Sequence, residues 1–155
     1  MTVNSIREQL QRNTVALISL VIAVTSLTYT GWRNETSEHQ RSVRLAAFRV
    51  LEELGELQEV VLYRAYFAPV NPGRAEQGQL RVRGYGNVLL IRDLMNVMPE
   101  PGPAQAIKLD TLWQEQVNAL ASGANSETAI AASEVLSGAI DDTRETVGEI
   151  LSDLD

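Results

Sequence analysis

The chain has 155 residues, a formal net charge of −7 at pH 7 and no cysteine. Without thiols it can form no disulfide, thiolate zinc site or cysteine nucleophile. The acidic balance argues against binding to nucleic acid, because neutralising phosphates requires clustered basic side chains. Residues 33–98 hold nine basic against eight acidic residues, whereas residues 99–155 hold two against eleven. The C-terminal part is therefore predicted to carry an acidic surface.

The first predicted element is an apolar segment between Arg12 and Arg33 that contains no charged residue. About 20 residues at about 1.5 Å each are enough to span the core of a bilayer. Tyr29 and Trp32 stand at its downstream end, where amphipathic rings prefer the headgroup layer, and the two flanking arginines can extend towards the polar surface. We therefore predict a transmembrane anchor at 14–32, which contacts the lipid bilayer, with these four residues at the membrane interface.

A cleaved signal peptide is the alternative interpretation of this segment, but the sequence LTYTGW offers no small-residue cleavage pattern. We predict that the segment is retained, after an N-terminal tail at 1–13. Close to the span there are two arginines and the terminal amine upstream and four arginines downstream. By the positive-inside rule this count slightly favours a cytoplasmic C-terminal domain.

The remaining residues, 33–155, are enough for one compact domain. Nothing between Thr14 and Phe67 breaks a helix except Gly31, so the anchor is predicted to continue into a stalk helix that ends at the APVNPG segment. Apolar residues at steps of three and four indicate the buried face of this helix. They are Ala47, Val50, Leu51, Leu54, Leu57, Val61 and Ala65.

Three further elements follow in chain order. A long loop is predicted at 68–86, and then a short helix at 87–98 with Leu90, Ile91, Leu94 and Val97 inward.

A third helix is predicted at 103–121, with Gly123 as its C-terminal cap. A fourth begins at Asn125 or Ser126 as N-cap. The inward stripes of these two helices are Leu109, Leu112, Trp113, Val117 and Leu120 in the third, and Ala129, Ser133, Leu136, Ile140, Val147, Leu151 and Leu154 in the fourth. No alternating pattern is long enough for a sheet. The predicted fold is all-α, with a transmembrane helix that continues into a stalk helix and then an antiparallel bundle of about four helices.

The stretch SLTYTGWRNETSEHQRSVRLAAFRVLEELGELQEVV, followed later by IRDLMNVMP, resembles a family of small single-pass membrane proteins of proteobacteria. The resemblance covers most of the chain, and its motifs are structural in character. It implies a bacterial inner-membrane location. The family has no assigned activity, so no functional residue is carried over.

The search for catalytic chemistry leads to exclusions. His39 is the only histidine, and with Glu35 one turn before it there is one imidazole and one carboxylate, which is too few for a metal site. The GYGN sequence at 84–87 lacks the spacing of a phosphate-binding loop. Four glutamates are predicted to lie on a solvated helix face, namely Glu52, Glu53, Glu56 and Glu59. We predict no catalytic residue, no cofactor, no metal and no enzyme activity.

Two sets of charged residues remain as candidate partner-binding residues. One set is three arginines of the predicted loop at 68–86, and the other is four carboxylates of the last helix. They are Arg74, Arg81, Arg83, Asp141, Asp142, Glu145 and Glu149. The predicted function is a membrane-anchored interaction or scaffold protein that binds a protein partner or a second copy of itself. The alternative is a small-molecule sensing or ligand-binding module, because helices of a bundle can enclose a ligand.

Overall fold

A computed structural model describes residues 14–68 and 74–154, and these residues form four helices. The predicted all-α fold is confirmed, since the long N-terminal helix packs against three further helices. The helices are α1 (Thr14–Leu62), α2 (Arg74–Met95), α3 (Gly102–Gln116) and α4 (Glu127–Ser152).

Helix α1 belongs to two units of the chain, which divide between Arg41 and Ser42. In the first unit, every described side chain of α1 is exposed. In the second unit, one face of α1 is buried in the core, as the periodicity predicted. The buried apolar residues of this face are Val43, Ala46, Ala47, Val50, Leu54, Leu57, Val60 and Val61.

A single π-helical turn, Tyr63–Phe67, follows α1 directly and ends the helix where the APVNPG segment was expected to stop it. The last carbonyls of a helix lack partners within the helix. Here the backbone N–H of Asn125 donates to the Ala65 carbonyl at 2.7 Å, and its side-chain Nδ2 donates to the Tyr66 carbonyl at 3.2 Å. The connection between α3 and α4 therefore holds this turn in place.

Helix α2 corrects the predicted loop at 68–86, because the helix begins at Arg74 rather than at residue 87. Gly78, Gly84 and Gly86 all lie within this helix. At Gly84 a Cβ would overlap the indole ring of Trp113, so the absence of a side chain allows α2 and α3 to approach closely.

The inward face of α2 also differs from the prediction. Ile91 is buried and Leu94 is partly buried, but Leu90 and Val97 are exposed. The buried residues of α2 recur at steps of three and four from Gly84 onwards. Its buried members are Gly84, Asn87, Val88, Ile91 and Met95, and Met98 extends the row beyond the helix.

Helices α3 and α4 agree with the predicted termini except that α3 ends at Gln116 and continues as turns. The predicted C-cap Gly123 is wrong, because Val117 caps α3; Gly123 lies in the connection to α4 with a φ of +119°, a conformation that L-residues with side chains rarely adopt. Ser126 caps α4, and its side-chain oxygen accepts a hydrogen bond from the Ala129 N–H at 3.1 Å.

The helices of the second unit run antiparallel to their neighbours. Gln58 donates to Ser137 at 2.8 Å while Arg44 donates to the Leu154 carbonyl at 3.0 Å, so α1 and α4 run in opposite directions. Their core contains the fully buried Trp113 of α3, whose ring lies against Gly84 of α2.

Candidate functional site

The first candidate site is the apolar part of α1. An 18-residue window of the helix has a mean hydropathy of 1.7, and none of it is buried against the rest of the described chain. The hydroxyls of Thr25, Thr28 and Thr30 donate to backbone carbonyls one turn earlier at 2.8–2.9 Å. These polar groups are thus satisfied within the helix, as an apolar environment requires. The helix is compatible with a single membrane span or with a signal sequence.

The predicted membrane-interface residues group at the downstream end of this window. Tyr29 and Trp32 are exposed, and their ring centroids lie 6.5 Å apart with the ring planes tilted by 58°. Arg33 is the next residue and is exposed as well. Arg12 lies outside the described residues.

The three candidate arginines do not form one loop surface, because Arg81 and Arg83 lie on the helix α2. Residues two apart on a helix do not face the same way. Arg83 forms ion pairs with Glu56 at 3.5 Å and with Glu59 at 4.0 Å, whereas Arg81 lines a cavity. Arg74 begins the helix, and its side chain is outside the described part of the structure.

The four candidate carboxylates lie on α4, and all are exposed. The Asp142 carboxylate forms an ion pair with Lys108 Nζ of α3 at 2.7 Å, and the Asp141 carboxylate forms one with Arg144 Nη1 at 2.6 Å. Exposed pairs of this kind contribute little to stability. A row at steps of four runs along the helix through Asp141, Glu145, Glu149 and Asp153; we call it the acidic row.

Not all of the predicted solvated glutamates are exposed. Glu53 is buried, and its carboxylate forms an ion pair with Arg49 Nη2 at 2.8 Å. The prediction of a solvated face is therefore wrong at this residue. Its neighbour Glu52 is exposed, and its carboxylate forms an ion pair with Nη1 of the same arginine at 2.6 Å. Among the described residues, no group of three or more side chains is arranged to hold a metal ion.

The apolar periodicity of α1 did not predict that an arginine is buried at the end of the same stripe. Arg64 lies in the π-helical turn with only 5% of its surface exposed, and its Nη1 has no hydrogen-bond partner. Burial, and secondly the nearby charge of Arg81, lower the pKa of the Arg64 guanidinium below its usual range. The spacing carried a signal, because Arg64 follows the core residue Leu57 by seven positions and so falls on the buried stripe.

By contrast, the half-buried Arg92 of α2 has a partner. Its Nη1 donates to Asp110 of α3 at 2.8 Å, and Gln114 donates to the other oxygen of the same carboxylate at 2.9 Å. Both oxygens of this buried carboxylate are therefore satisfied, and the pair is structural. The two arginines differ in that none of the ion pairs among residues 14–68 and 74–154 includes Arg64.

A cavity of about 450 Å³ lies between α2 and the end of α3, and we call it the Arg81 cavity. Its wall is mostly apolar, with one charged group and one amide. The lining residues are Arg81, Val82, Tyr85, Trp113, Gln114 and Val117. Its volume falls in the range of small-molecule sites, about 300–1,000 Å³.

No model of a known protein family, no curated protein and no solved structure matches the chain. The resemblance to small proteobacterial membrane proteins therefore stays a prediction. Function has to be argued from the chain's own residues, and the described ones define an all-α protein in which one long helix is apolar enough to contact a bilayer.

Proposed function

We propose that the protein is a single-pass protein of the bacterial inner membrane whose helical domain docks another protein. The observation that carries this proposal is the uninterrupted helix α1. Its first part is apolar and exposed, whereas its later part supplies a long buried face of the helical core. Exposed apolar side chains in a continuous row are unfavourable in water, and a bilayer removes that cost.

The acidic row is the surface that we propose for docking. Like charges one turn apart on a helix repel one another and lower its stability by about 0.2–0.5 kcal/mol for each pair. Glu145, Glu149 and Asp153 stand in such a series. A basic surface on a partner would relieve this repulsion, and complementary charge speeds the encounter of two proteins. The proposed partner is therefore a protein with a cationic docking surface.

Membrane insertion is tested on the full chain by flotation with liposomes and by alkaline extraction of membranes. We expect the full-length protein to stay in the membrane during alkaline extraction. The substitution pair Val21→Lys and Val24→Lys should release it, because a charge near the centre of a span costs about 2.5–3.5 kcal/mol per residue. Gln40→Lys, outside the apolar window, is the matched control and should change nothing. An intact mass that lacks the N-terminal segment would show a signal peptide instead.

The chain has no cysteine, so single introduced cysteines report orientation without background. A membrane-impermeant maleimide added to intact spheroplasts should leave Ser42→Cys unlabelled if the helical domain is cytoplasmic, which the arginine count slightly favours. Labelling before lysis would place that domain on the other side. Lysis followed by labelling controls for the reactivity of the cysteine.

The docking surface is tested by placing a photo-crosslinking amino acid at Glu145 or at Glu149 in cells. We expect specific crosslinks that decrease with rising salt, because screening shortens the range of exposed charges from about 10 Å at 0.1 M to about 3 Å at 1 M. The double variant Glu145→Lys and Glu149→Lys should lose the complex. The matched control, Glu115→Lys with Glu134→Lys, makes the same change in net charge outside the acidic row and should keep it.

The alternative function, a ligand-binding module, is favoured by one specific observation. The Arg81 cavity has a mostly apolar wall beside one arginine, and its volume of about 450 Å³ suits a small molecule. A protein-docking role through the acidic row does not explain these features.

A further inference from the structure

The end of α1 buries a positive charge that the described residues do not neutralise. Arg64 is only 5% exposed, Nη1 of its guanidinium has no hydrogen-bond partner, and none of the ion pairs among residues 14–68 and 74–154 includes it. Nη1 is also closed off from solvent. Removing a charged head group from water is strongly unfavourable without such partners. The packed conformation of this end therefore has a cost in free energy that hydration of Arg64 would remove.

The backbone around Arg64 is also unusual. In the π-helical turn Tyr63–Phe67, the backbone N–H of Ala68 donates to the Tyr63 carbonyl, five residues earlier, at 2.8 Å. Single π-helical turns are rare and are found mostly at functional sites. The side chains of Arg64 and Ala65 are buried, whereas the three aromatic side chains of the turn are exposed. The turn therefore adds little apolar surface to the core, and the buried face of α1 already reaches Val61 before it.

One residue of another element fastens this turn. The Asn125 backbone N–H donates to the Ala65 carbonyl at 2.7 Å, and its Nδ2 donates to the Tyr66 carbonyl at 3.2 Å. We call these two hydrogen bonds the Asn125 clasp. Asn125 has a φ of +59°, in the left-handed region that asparagine tolerates better than most residues with a side chain. Because both bonds come from one residue of a connection, a change at this residue weakens the attachment of the whole turn.

We propose that the Asn125 clasp is a latch. When its two hydrogen bonds break, the turn Tyr63–Phe67 opens, Arg64 becomes hydrated, and the rest of the helical core stays folded. Segments with few buried apolar contacts open at a lower free energy than the whole domain, and here hydration of a buried cation favours the open state further. This device is independent of docking at the acidic row and of a ligand in the Arg81 cavity.

Opening can be measured by thiol labelling, because the chain has no cysteine. Ala65 is 0% exposed, so Ala65→Cys reacts with iodoacetamide only when the turn opens. Ala139→Cys, at a position 3% exposed near the middle of α4, is the matched control. Rates are measured by intact mass on the full-length protein in detergent micelles and divided by the rate of the same variant in concentrated urea. We expect Ala65→Cys to react at least about a hundredfold faster than Ala139→Cys. Low urea should accelerate Ala139→Cys steeply and Ala65→Cys only slightly, because a local opening exposes little surface.

Two arginine variants test the charge. In the Ala65→Cys protein, Arg64→Met should slow labelling at least about tenfold, because the packed turn no longer buries a cation. Arg92→Met is the matched control, since Arg92 has its acid, Asp110, at 2.8 Å. It should not slow labelling, because it leaves a buried carboxylate without its ion pair.

Two asparagine variants test the clasp. In the same Ala65→Cys protein, Asn125→Ala should accelerate labelling at least about threefold, because it removes the Nδ2 donor and places a less tolerant residue at a positive φ. Asn118 lies in the same connection with an exposed side chain, so Asn118→Ala is the matched control and should leave the rate unchanged.

Several results would overturn the proposal. The turn does not open on its own if Ala65→Cys reacts as slowly as Ala139→Cys or shows the same dependence on urea. An Arg64→Met variant that fails to fold, or that reacts no more slowly, would show that burial of the guanidinium does not favour opening. Equal slowing by Arg92→Met would show a general effect of removing an arginine. Labelling unaffected by Asn125→Ala would exclude the clasp as the latch.

Discussion

Two stretches of one helix, residues 14–41 and residues 43–65, have the same backbone conformation over most of their length and very different surroundings. In the first, every described side chain is exposed, including large apolar ones such as Leu27 at 77%. In the second, apolar residues recur on one face, and Leu54 is completely buried. Periodicity is therefore the signature of packing against protein, whereas the exposed apolar surface of residues 14–32 is compatible with a single membrane span or with a signal sequence.

The largest expected effect comes from separating the two stretches. Deleting residues 1–41 should move the protein from the membrane fraction to the soluble fraction and leave a domain that is still helical and unfolds cooperatively. The reason is that the buried faces of the second unit satisfy one another, whereas only the first unit exposes a long apolar surface. Fractionation and circular dichroism measure both properties. Aggregation of the fragment, or loss of its helical signal, would contradict the division into two units.

A charge introduced into each stretch gives the next largest effect. Leu54→Asp should destabilise the helical domain by about 4 kcal/mol or more, because it removes a buried apolar group and leaves a carboxylate without a partner. Leu27→Asp should leave the unfolding transition of that domain unchanged and should weaken retention in membranes. Thermal unfolding followed by circular dichroism, with flotation alongside, compares the two. Equal unfolding temperatures for Leu54→Asp and the unchanged protein would remove Leu54 from the core.

The contrast also explains how much could be predicted from the sequence. The second stretch of α1 and the stripe of α4 were predicted correctly, because regular apolar spacing in a helix depends only on local geometry. Ser126, one of the two predicted N-caps of α4, was predicted for a similarly local reason, whereas Gly123 is not the predicted C-cap of α3, because α3 ends earlier and its C-cap is Val117. Whether the first stretch spans a membrane stays a prediction, since a signal sequence has the same composition.

The errors arose where a distant residue decides the outcome. Residues 68–86 were predicted to be a loop, but residues 74–86 are helical, and position 84 requires glycine because the Trp113 ring of α3 occupies the space of a side chain. Once α2 was taken to begin too late, Leu90 and Val97 were assigned to the wrong face. Arg64 was overlooked for a related reason, because only the tertiary packing shows that an arginine at the end of the stripe is buried and lacks a partner for Nη1.

Replacing glycine by alanine sharpens the comparison at a smaller scale. Gly84→Ala should destabilise the helical domain by about 1–3 kcal/mol, because the added methyl group overlaps the buried Trp113 ring. Gly86→Ala, on the same helix with nothing within 4 Å, is the matched control and should stabilise it by up to about 1 kcal/mol through helix propensity. Gly31→Ala in the first stretch is also unhindered and should not change the unfolding of the domain. Urea titration of the three variants distinguishes packing from propensity, and a stabilising Gly84→Ala would disprove the close approach of α2 and α3.

The smallest expected effect compares two threonines that make the same local hydrogen bond. Thr143 is fully buried, donates to the Ala139 carbonyl at 2.7 Å and accepts from Gln105 Nε2 at 3.3 Å. Thr28 donates to the carbonyl of Val24 at 2.9 Å and faces outwards. Thr143→Val keeps the shape but leaves the Gln105 amide without its acceptor, so it should cost about 1 kcal/mol. Thr28→Val should leave the domain's stability unchanged. It should also strengthen membrane retention, because valine is more apolar than threonine and the Thr28 hydroxyl bonds only to a carbonyl of its own helix. Urea titration and flotation measure the two effects, and a loss of stability from Thr28→Val as large as that from Thr143→Val would mean that Thr28, too, packs against protein.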